Sequence, residues 1–431
     1  MTSTPLPLDD GSEQRNAWLW VVLAAASVFA LTMGVRQTMG LFMSPLNTST
    51  GLGVANISLA FAFGQLWWGL TQPFAGAVTD RIGAGRVLAL GLFLVALGTV
   101  LTPYMQSTFG LIVAIGILAA GGAGMAGPAV LMAVTTRMVP VQRRGVASGV
   151  VNAGGSFGQF VMAPLAAGLT AWLGWLLSMQ TLGLMVLLAL PAAWLLRNRI
   201  PKNQNDRKIG HNADSMAGPG IERMPLKAVL RQAWALPSYR YLCLGFLVCG
   251  FHVAFLATHL PGVVAACGLP PSVAAWSLGL IGLFNIVGSV AMGWAVGRWR
   301  MKSLLSLVYA TRAIAVVLFV LAPKTAGVML VFAAVMGVTF LSTVPPTAGL
   351  VAKFFGPQNM AMLFGVVMLA HQVGGFMGAW LGGQVWEMTG SYDWVWMIDI
   401  VLALGAALVH LPIRESALAV VNPLPDGARA G

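Results

Sequence analysis

The chain contains 431 residues, of which 58% are hydrophobic and only 8% are charged, and its net charge is +12. Soluble domains carry about 25% charged residues, so this composition excludes a soluble globular protein. We therefore predict an integral membrane protein.

Most of the chain divides into apolar segments long enough to cross a bilayer, which takes about 20 helical residues. These segments predict an all-α membrane protein with twelve transmembrane helices, six in each half of the chain. The predicted spans, numbered 1 to 12, are residues 17–45, 54–78, 86–105, 109–134, 145–172, 175–197, 239–263, 272–296, 302–322, 327–351, 359–387 and 393–413.

The segments outside the spans predict the domain organisation. The first residues lack the basic n-region of a signal peptide, so we expect span 1 to remain in the mature protein. The central linker is polar and contains proline and glycine, and residues 224–236 within it could form a short interfacial helix. The predicted units are a cytoplasmic tail (1–16), a first six-helix bundle (17–197), a cytoplasmic linker (198–238), a second six-helix bundle (239–413) and a cytoplasmic tail (414–431).

The positions of the basic residues predict the orientation in the membrane. With both termini in the cytoplasm, all of the 24 lysines and arginines fall in cytoplasmic segments except Arg36, Arg312 and Lys324. Cytoplasmic loops retain lysine and arginine, so we predict a multi-pass protein with both termini cytoplasmic. Because the basic residues are spread over separate loops, we expect no nucleic-acid partner.

The two halves of the chain match each other at a fixed offset. Residues 34–36 (Gly-Val-Arg) fall on residues 250–252 (Gly-Phe-His), since both segments are separated by 216 positions. A duplicated, apolar chain is typical of a secondary transporter that holds its substrate between two bundles near the bilayer midplane. Arg36 and His252, which occupy equivalent positions inside the membrane, are therefore the first candidates for substrate binding.

The segment after span 2 carries the most specific motif of the chain. Residues 76–86 read Gly-Ala-Val-Thr-Asp-Arg-Ile-Gly-Ala-Gly-Arg, and a degenerate copy begins at residue 293. This segment resembles the G-x-x-x-D-R-x-G-x-R signature of the major facilitator superfamily. The resemblance implies the major facilitator fold, in which two pseudo-symmetric six-helix bundles alternate access by rocking against each other.

The charged residues of this motif are candidates for gating. We predict a gating cluster in which Asp80 caps the next helix or pairs with Arg143 or Arg144 across the cytoplasmic face. In the superfamily, such a cluster is a latch that is closed when the protein faces outward. The alternative is that the charges only fix the topology. The predicted gating residues are Asp80, Arg81, Arg86, Arg143 and Arg144.

Arg36 is the strongest candidate for a substrate ligand. Centring an arginine in a bilayer costs about 2.5–3.5 kcal/mol, so such a residue normally faces a cavity or a partner. The spans of the first half contain no acidic residue to pair with it. We therefore predict that its guanidinium binds a substrate carboxylate through two hydrogen bonds. The alternative is that Arg36 donates to backbone carbonyls at a helix break near Pro45.

Arg312 in span 9 is a weaker candidate for substrate binding. Asp399 in span 12 could lie at a similar depth, so a structural pair between the two is the favoured interpretation. Whether Arg312 is structural or functional stays open at this point.

Three histidines are candidates for proton coupling. His252 and His259 lie seven residues apart, on one face of span 7, and His371 lies beside Gln372 in span 11. Accumulating a monoanion against about 100 mV costs roughly 2.3 kcal/mol, so uptake requires a co-transported cation or an exchanged anion. Each histidine could instead be a buried hydrogen-bonding residue without a coupling role.

Further polar residues complete the predicted site. The predicted substrate ligands are Arg36, Gln37, Asn152, His252, Asn285, His371 and Gln372, and other residues with cavity-facing spacing are Gln65, Gln72, Ser156, Gln159 and Ser289. Ser342 to Pro346 predict a broken helix in span 10.

The chain shows neither the residues of a catalytic site nor those of a metal site. The three cysteines lack metal-ligand spacing, and we predict no disulfide. A nucleophile, base and orienting residue do not occur together, so we expect no enzyme activity, cofactor or metal.

Residues 34–42 and 363–374 resemble a narrower group, the bacterial branch of the monocarboxylate transporters and their oxalate/formate exchanger relatives. Animal-type members carry a lysine in span 1 that aligns with Gln37, and an Asp-x-x-x-Arg in span 8 where this chain has Asn285 and Ser289. This departure means that substrate recognition cannot be copied from that group. Lactate or pyruvate is no safer an expectation than a larger organic acid.

These expectations combine into one prediction. The chain is predicted to move a small organic anion, a monocarboxylate, across the bacterial cytoplasmic membrane by alternating access, with proton symport and as a monomer. Alternatives are an organic-anion exchanger and an efflux transporter of apolar drugs or metabolites, whose helix 5 gating motif is only loosely echoed by residues 154–164. A non-transporting membrane sensor on the same fold is disfavoured, because no signalling domain is evident.

Overall fold

The computed structural model describes residues 11–197 and 226–416, and every regular element in these ranges is helical. Most of the predicted linker and parts of both predicted tails lie outside the described residues. Within the linker, the helix Leu226–Ala235 lies where a short helix was predicted. The domain boundaries themselves stay a prediction.

The first half forms six helices of membrane length. Helix α1 (Gly11–Thr38) continues through a 3₁₀ turn at Met39–Phe42 into the helix Met43–Thr50. Helix α4 (Thr108–Met138) contains a π-helical segment at Ile112–Ala119. The six helices are α1 (Gly11–Thr38), α2 (Val54–Ile82), α3 (Ala84–Leu101), α4 (Thr108–Met138), α5 (144–173) and α6 (175–195).

The second half forms another six. Helix α10 is broken at residues 340–343, at the break predicted in span 10. The six helices are α7 (Pro237–Ala266), α8 (Pro271–Val296), α9 (Met301–Leu321), α10 (Ala326–Gly356), α11 (357–389) and α12 (Asp393–His410).

Ten segments in the described part of the chain are long and apolar enough to cross a membrane, and together they contain eleven of the twelve helices. One of the ten, Arg144–Leu195, contains both α5 and α6, because Gly174 has φ 78° and ψ 165° and interrupts the helix. Helix α2 is 29 residues long but contains polar residues such as Gln65 and Gln72, which lower its apolarity. The predicted twelve-helix fold is therefore confirmed.

The two bundles meet along two pairs of helices. Helix α2 packs against α11, and α5 packs against α8. A hydrogen bond crosses each pair: Gln372 Nε2 donates to the Gln65 carbonyl at 2.7 Å, and Gln159 Nε2 donates to the Leu278 carbonyl at 3.1 Å. These pairs place residues of both bundles along a common interface.

The two ends of this interface differ. The end that carries the arginine-rich loops after α2, α4 and α8 is called the basic end, and the other is called the opposite end. At the opposite end, Gly40, in the 3₁₀ turn after α1, lies so close to α7 that a Cβ atom added to it would overlap the Ala257 carbonyl oxygen. At the basic end, nothing lies within 4 Å of a Cβ on Gly149 of α5 or Gly365 of α11. The structure is therefore closed at the opposite end and open at the basic end.

A carboxylate joins the two bundles where they are closed. Glu387, near the end of α11, accepts a hydrogen bond from the Ala55 backbone nitrogen at 2.9 Å, through Oε2. Ala55 lies in the first turn of α2, whose backbone N–H groups have no helical partner and favour a negative charge. Glu387 therefore caps a helix of the other bundle and stabilises closure.

We predict that Glu387→Ala opens the opposite end. Loss of a helix cap costs about 0.5–2 kcal/mol, which would raise the open population about 2- to 30-fold. The reporter is Ser58→Cys, a buried position on α2, introduced into a Cys267→Ser background. The measurement is the rate at which a thiol reagent labels this cysteine in detergent.

Glu415→Ala is the matched control, because Glu415 bonds to Lys302 and Lys353 within the second bundle at the basic end. Equal labelling rates in the two variants would show that Glu387 does not hold the opposite end closed.

Candidate functional site

Arg36 lies in the last turn of α1, just before the 3₁₀ turn. Its Nη2 donates to Gln65 Oε1 of α2, and its guanidinium carbon lies 4.7 Å from the ring centroid of Trp68. Both partners are neutral, and none of the ion pairs between described residues includes Arg36. The guanidinium therefore keeps an uncompensated charge, which a cation–π contact and one amide stabilise only in part.

Arg36 borders a cavity inside the first bundle, between α1, α2, α3 and α4. The cavity volume is about 40 Å³, and its walls are apolar apart from Arg36, Gln65 and Thr99. This space can hold a few water molecules. It is far smaller than the roughly 300–1,000 Å³ of a drug-sized pocket.

Gln65 joins Arg36 to the second bundle. Its side chain accepts from Arg36, and its backbone carbonyl accepts from Gln372 of α11. The Oε1 of Gln372 lies 2.9 Å from Nδ1 of His371. Three predicted site residues, Arg36, Gln372 and His371, are thus brought together through Gln65, which the sequence marked only as one of several cavity-facing polar residues.

His371 is a buried residue with one unused nitrogen. Its ring centroid lies 5.0 Å from that of Phe246 on α7. Nδ1 faces Gln372, but Nε2 is buried without a hydrogen-bond partner among the described residues. Because the Gln372 amide oxygen can only accept, Nδ1 carries the ring proton and Nε2 carries the lone pair.

His252 does not meet Arg36, although the repeat gives them equivalent positions. It is buried within the second bundle, where Nε2 lies 3.0 Å from Asp399 Oδ1 and Nδ1 lies 3.4 Å from Arg312 Nη1. The predicted direct pair between Arg312 and Asp399 is therefore not formed, because the imidazole lies between them. Equivalent positions in a repeat share a depth in the membrane, but their neighbours differ.

His259 has partners on both ring nitrogens. Nε2 lies 2.7 Å from the Ala379 carbonyl oxygen, and Nδ1 lies 3.4 Å from the Tyr392 hydroxyl. The ring is fully buried. This arrangement fits the structural alternative for His259, as a hydrogen-bonding residue between α7, α11 and α12.

Asn285 connects three helices. Its Nδ2 donates to Ser156 Oγ of α5 at 2.8 Å, and its Oδ1 accepts from the Leu341 backbone nitrogen, in the break of α10, at 3.1 Å. Asn152, one turn before Ser156, is exposed, and Gln37 is buried on α1. Asn285 therefore has a structural role at the interface between the bundles.

The predicted gating residues lie at the basic end, and Asp80 has a different partner from the predicted one. Asp80 Oδ1 lies 2.6 Å from Arg137 Nη2, and not beside Arg143 or Arg144. Arg137 occupies the last turn of α4, which packs against α2, so its side chain reaches the end of α2 directly. Both side chains are more than half exposed, and such a pair contributes about 0–1 kcal/mol.

The other gating residues also remain within the first bundle. Arg144 Nε donates to the Val139 carbonyl oxygen at 3.4 Å, and the Arg143 guanidinium lies 5.7 Å from the ring centroid of Trp18. Arg81 and Arg86 are exposed. No latch to the second bundle is formed by these side chains, in agreement with the open basic end.

The sequence matches the family model of the Major Facilitator Superfamily over residues 25–379 and 242–430. It is 26% identical over 420 residues to monocarboxylate transporter 13 of Rattus norvegicus, covering 95% of this chain and 93% of the relative. It is 21% identical over 404 residues to an uncharacterized MFS-type transporter, YcxA, of Bacillus subtilis (strain 168), covering 91% and 94%.

Two solved structures share the fold. One is a bacterial homologue of the human lysosomal transporter Spinster in an inward-facing and occupied conformation, with a TM-score of 0.72, 15% identity and coverage of 92% of this chain and 96% of that one. The other is a D-xylose-proton symporter, with a TM-score of 0.66, 16% identity and coverage of 94% and 99%.

We predict that Asn285→Ala lowers the free energy of unfolding by about 1–3 kcal/mol, because it leaves the Ser156 hydroxyl and the Leu341 N–H without partners. Thermal unfolding in detergent measures the effect. Asn152→Ala, at an exposed position of α5, is the control and should change stability by less than about 0.5 kcal/mol. Equal stability of both variants would contradict the structural role of Asn285.

Proposed function

Because the chain belongs to the major facilitator superfamily, we propose that this transporter moves a small organic anion, a monocarboxylate, across the bacterial cytoplasmic membrane with proton symport. The distribution of basic residues supports a cytoplasmic location for both termini. The basic end then faces the cytoplasm, and the open basic end corresponds to an inward-facing state. The predicted monomer is part of this proposal.

The observation that carries the proposal is the position of Arg36. Its guanidinium borders a cavity and contacts only the neutral Gln65 and Trp68. A carboxylate that replaced the Gln65 amide oxygen would accept two parallel hydrogen bonds and neutralise the charge. A charge buried with neutral partners is unfavourable, so binding of an anion gains free energy that a neutral substrate would not.

Arg312 provides the contrast. Its guanidinium donates to the carbonyl oxygens of Thr339 and Phe340, and it also contacts His252. These partners belong to the protein and saturate most of its donors. Of the two arginines at membrane depth, Arg36 is therefore the one with donors for a substrate.

The charge of Arg36 favours an anionic substrate over the alternative of apolar drug efflux. The cavity of about 40 Å³ beside Arg36 has room for a carboxylate group. The similarity to proteins named monocarboxylate transporters points the same way.

The contact between α2 and α11 supports a role for the second bundle. Gln65 contacts Arg36 through its side chain and Gln372 through its backbone, so substrate bound at Arg36 lies one residue from the second bundle. His371, whose Nε2 is buried without a hydrogen-bond partner among the described residues, is the histidine nearest to this chain of contacts. Rocking of the bundles would then expose Arg36 alternately to each side.

We predict that Arg36→Ala abolishes saturable uptake of organic anions by purified protein in liposomes. Labelled short, aromatic and dicarboxylic acids are supplied with and without an inward proton gradient, beside a lipophilic cation. Arg36→Lys keeps the charge but loses the planar fork. Because a charged hydrogen bond contributes about 1.5–3 kcal/mol, its KM should rise at least about tenfold.

Arg240→Ala is the matched control, since Arg240 is exposed at the start of α7. It should transport like the wild type. Uptake of an acid by Arg36→Ala at the wild-type rate would remove Arg36 from the site. Transport of the lipophilic cation, with no acid moved, would support efflux of apolar compounds instead. Uptake whose rate is unchanged by the proton gradient but that requires an anion on the opposite side of the membrane would support anion exchange.

A further inference from the structure

Three ionisable side chains from three helices meet in the interior of the second bundle. They are Arg312 of α9, His252 of α7 and Asp399 of α12, and each is at most 2% exposed. We call them the buried charge cluster. Removing charges from water costs several kcal/mol per ion, so the arrangement requires partners that fix the protonation state of each group.

Arg312 stabilises the break in α10. Its Nη2 donates to the carbonyl oxygens of Thr339, the last residue before the break, and of Phe340, the latter at 2.8 Å. Carbonyls at the end of a helix lack their intrahelical partners, and a cation there is favourable. The position of Arg312 therefore determines whether this interrupted turn keeps its hydrogen bonds.

The contacts of His252 fix its tautomer. Nε2 lies 3.3 Å from the Asp399 backbone oxygen, which can only accept, so Nε2 carries a proton; the Asp399 carboxylate Oδ1 lies 3.0 Å from the same nitrogen but has no hydrogen-bond partner among the described residues. Nδ1 faces Nη1 of Arg312 at 3.4 Å. Arginine has only donors, so Nδ1 must be the unprotonated acceptor. In this inward-open arrangement, His252 is neutral.

A second proton on His252 is incompatible with this geometry. It would place an N–H on Nδ1 against an N–H of Arg312, and two cations would lie 3.4 Å apart in a site that water does not reach. Like charges at this distance repel, and the Asp399 carboxylate, which attracts a protonated ring, lies on the Nε2 side and gives a proton on Nδ1 no acceptor. Protonation of His252 therefore requires Arg312 to move away, and Arg312 holds the break in α10.

We propose that Nδ1 of His252 is the atom that binds the coupled proton, and that its protonation releases Arg312 from the broken turn of α10. The proton is taken up from bulk solvent and adds one positive charge to a cluster in which one guanidinium, one carboxylate and one neutral imidazole otherwise sum to zero. This proposal rests on the proposed proton symport. It identifies the atom that binds the proton and the turn of α10 that moves in response.

The broken turn of α10 is connected to the interface between the bundles through a few residues. Phe340, which accepts from Arg312, precedes Leu341, whose backbone nitrogen donates to Asn285. Asn285 in turn donates to Ser156 of the first bundle. Movement of the broken turn would therefore act on a hydrogen bond that crosses α5 and α8. Coupling between proton and conformation needs such a contiguous set of contacts.

The other groups around the cluster do not provide a second carboxylate. From α7, Cys249 Sγ lies 3.6 Å from Arg312 Nη1, and from α9 the Tyr309 ring centroid lies 5.3 Å from the Arg312 guanidinium carbon. From α11, His371 packs against α7 at Gly250. Helix α10 contributes the hydroxyl of Thr343 beside Cys249. His252 is thus the neutral base closest to both charges.

The protonation state is measured directly by ¹⁵N NMR of histidine-labelled full-length protein in bilayers. On acidification, His252 should change from the Nε2–H tautomer to the doubly protonated ring. The signal is assigned by its loss in His252→Gln. If that variant does not fold, single glutamine variants of the other four histidines assign it by elimination.

The resulting movement of the two bundles is measured without substrate. Pulsed EPR gives the distance between spin labels attached at Gln142→Cys and Lys353→Cys. These exposed positions lie at the basic end of the first and second bundle. Acidification should shorten the distance in the wild type and in His410→Gln, a buried histidine bonded to the Ala406 carbonyl of its own helix. His252→Gln should lose this shift.

The outcomes separate the two proposals. An acid-induced shift that persists in His252→Gln, or a His252 ring that is already cationic in the open state or never titrates, would overturn the proton site. Loss of the shift in His252→Gln, together with no uptake of any organic acid, would support the proton site and overturn the proposed anion substrate.

Discussion

The free energy required to hold a guanidinium in an apolar bundle is the constraint on which the rest of this structure depends. The chain carries two arginines at membrane depth and satisfies them differently. Arg312 is surrounded by backbone carbonyls, an imidazole and, beyond it, a carboxylate. Arg36 has one amide and one indole ring. Arg312, most of whose donors have partners within the protein, stabilises a broken helix, and Arg36, which has few, is proposed to bind the substrate.

The fold was largely predictable because spans, breaks and repeats depend on local patterns. The apolar lengths predicted the twelve helices, and Ser342 to Pro346 predicted the break in α10, because Pro345 and Pro346 lack a backbone N–H and lie in the first turn of the helix that resumes at Val344. The contacts within the membrane were not predictable in the same way. The repeat placed His252 at the depth of Arg36, but its neighbours Arg312 and Asp399 come from α9 and α12, which no local spacing relates to α7. Likewise, Asp80 pairs with Arg137 because α2 and α4 pack together.

The closed opposite end and the open basic end define one state of the transport cycle. Glu387 caps α2 across the interface, and Gly40 allows α1 to approach α7 closely. Neither contact is compatible with separation of the bundles at that end, so a state that is open at the opposite end must lose both. The hydrogen bonds of Gln159 and Asn285 lie along α5 and α8, where the bundles can rotate against each other.

The most direct test of the central claim is a structure, by electron cryo-microscopy, of the protein bound to the acid that it transports. The carboxylate should lie within hydrogen-bond distance of the Arg36 guanidinium and replace the Gln65 amide oxygen. An acid bound elsewhere, with Arg36 still bonded to Gln65, would contradict the claim and assign Arg36 a structural role.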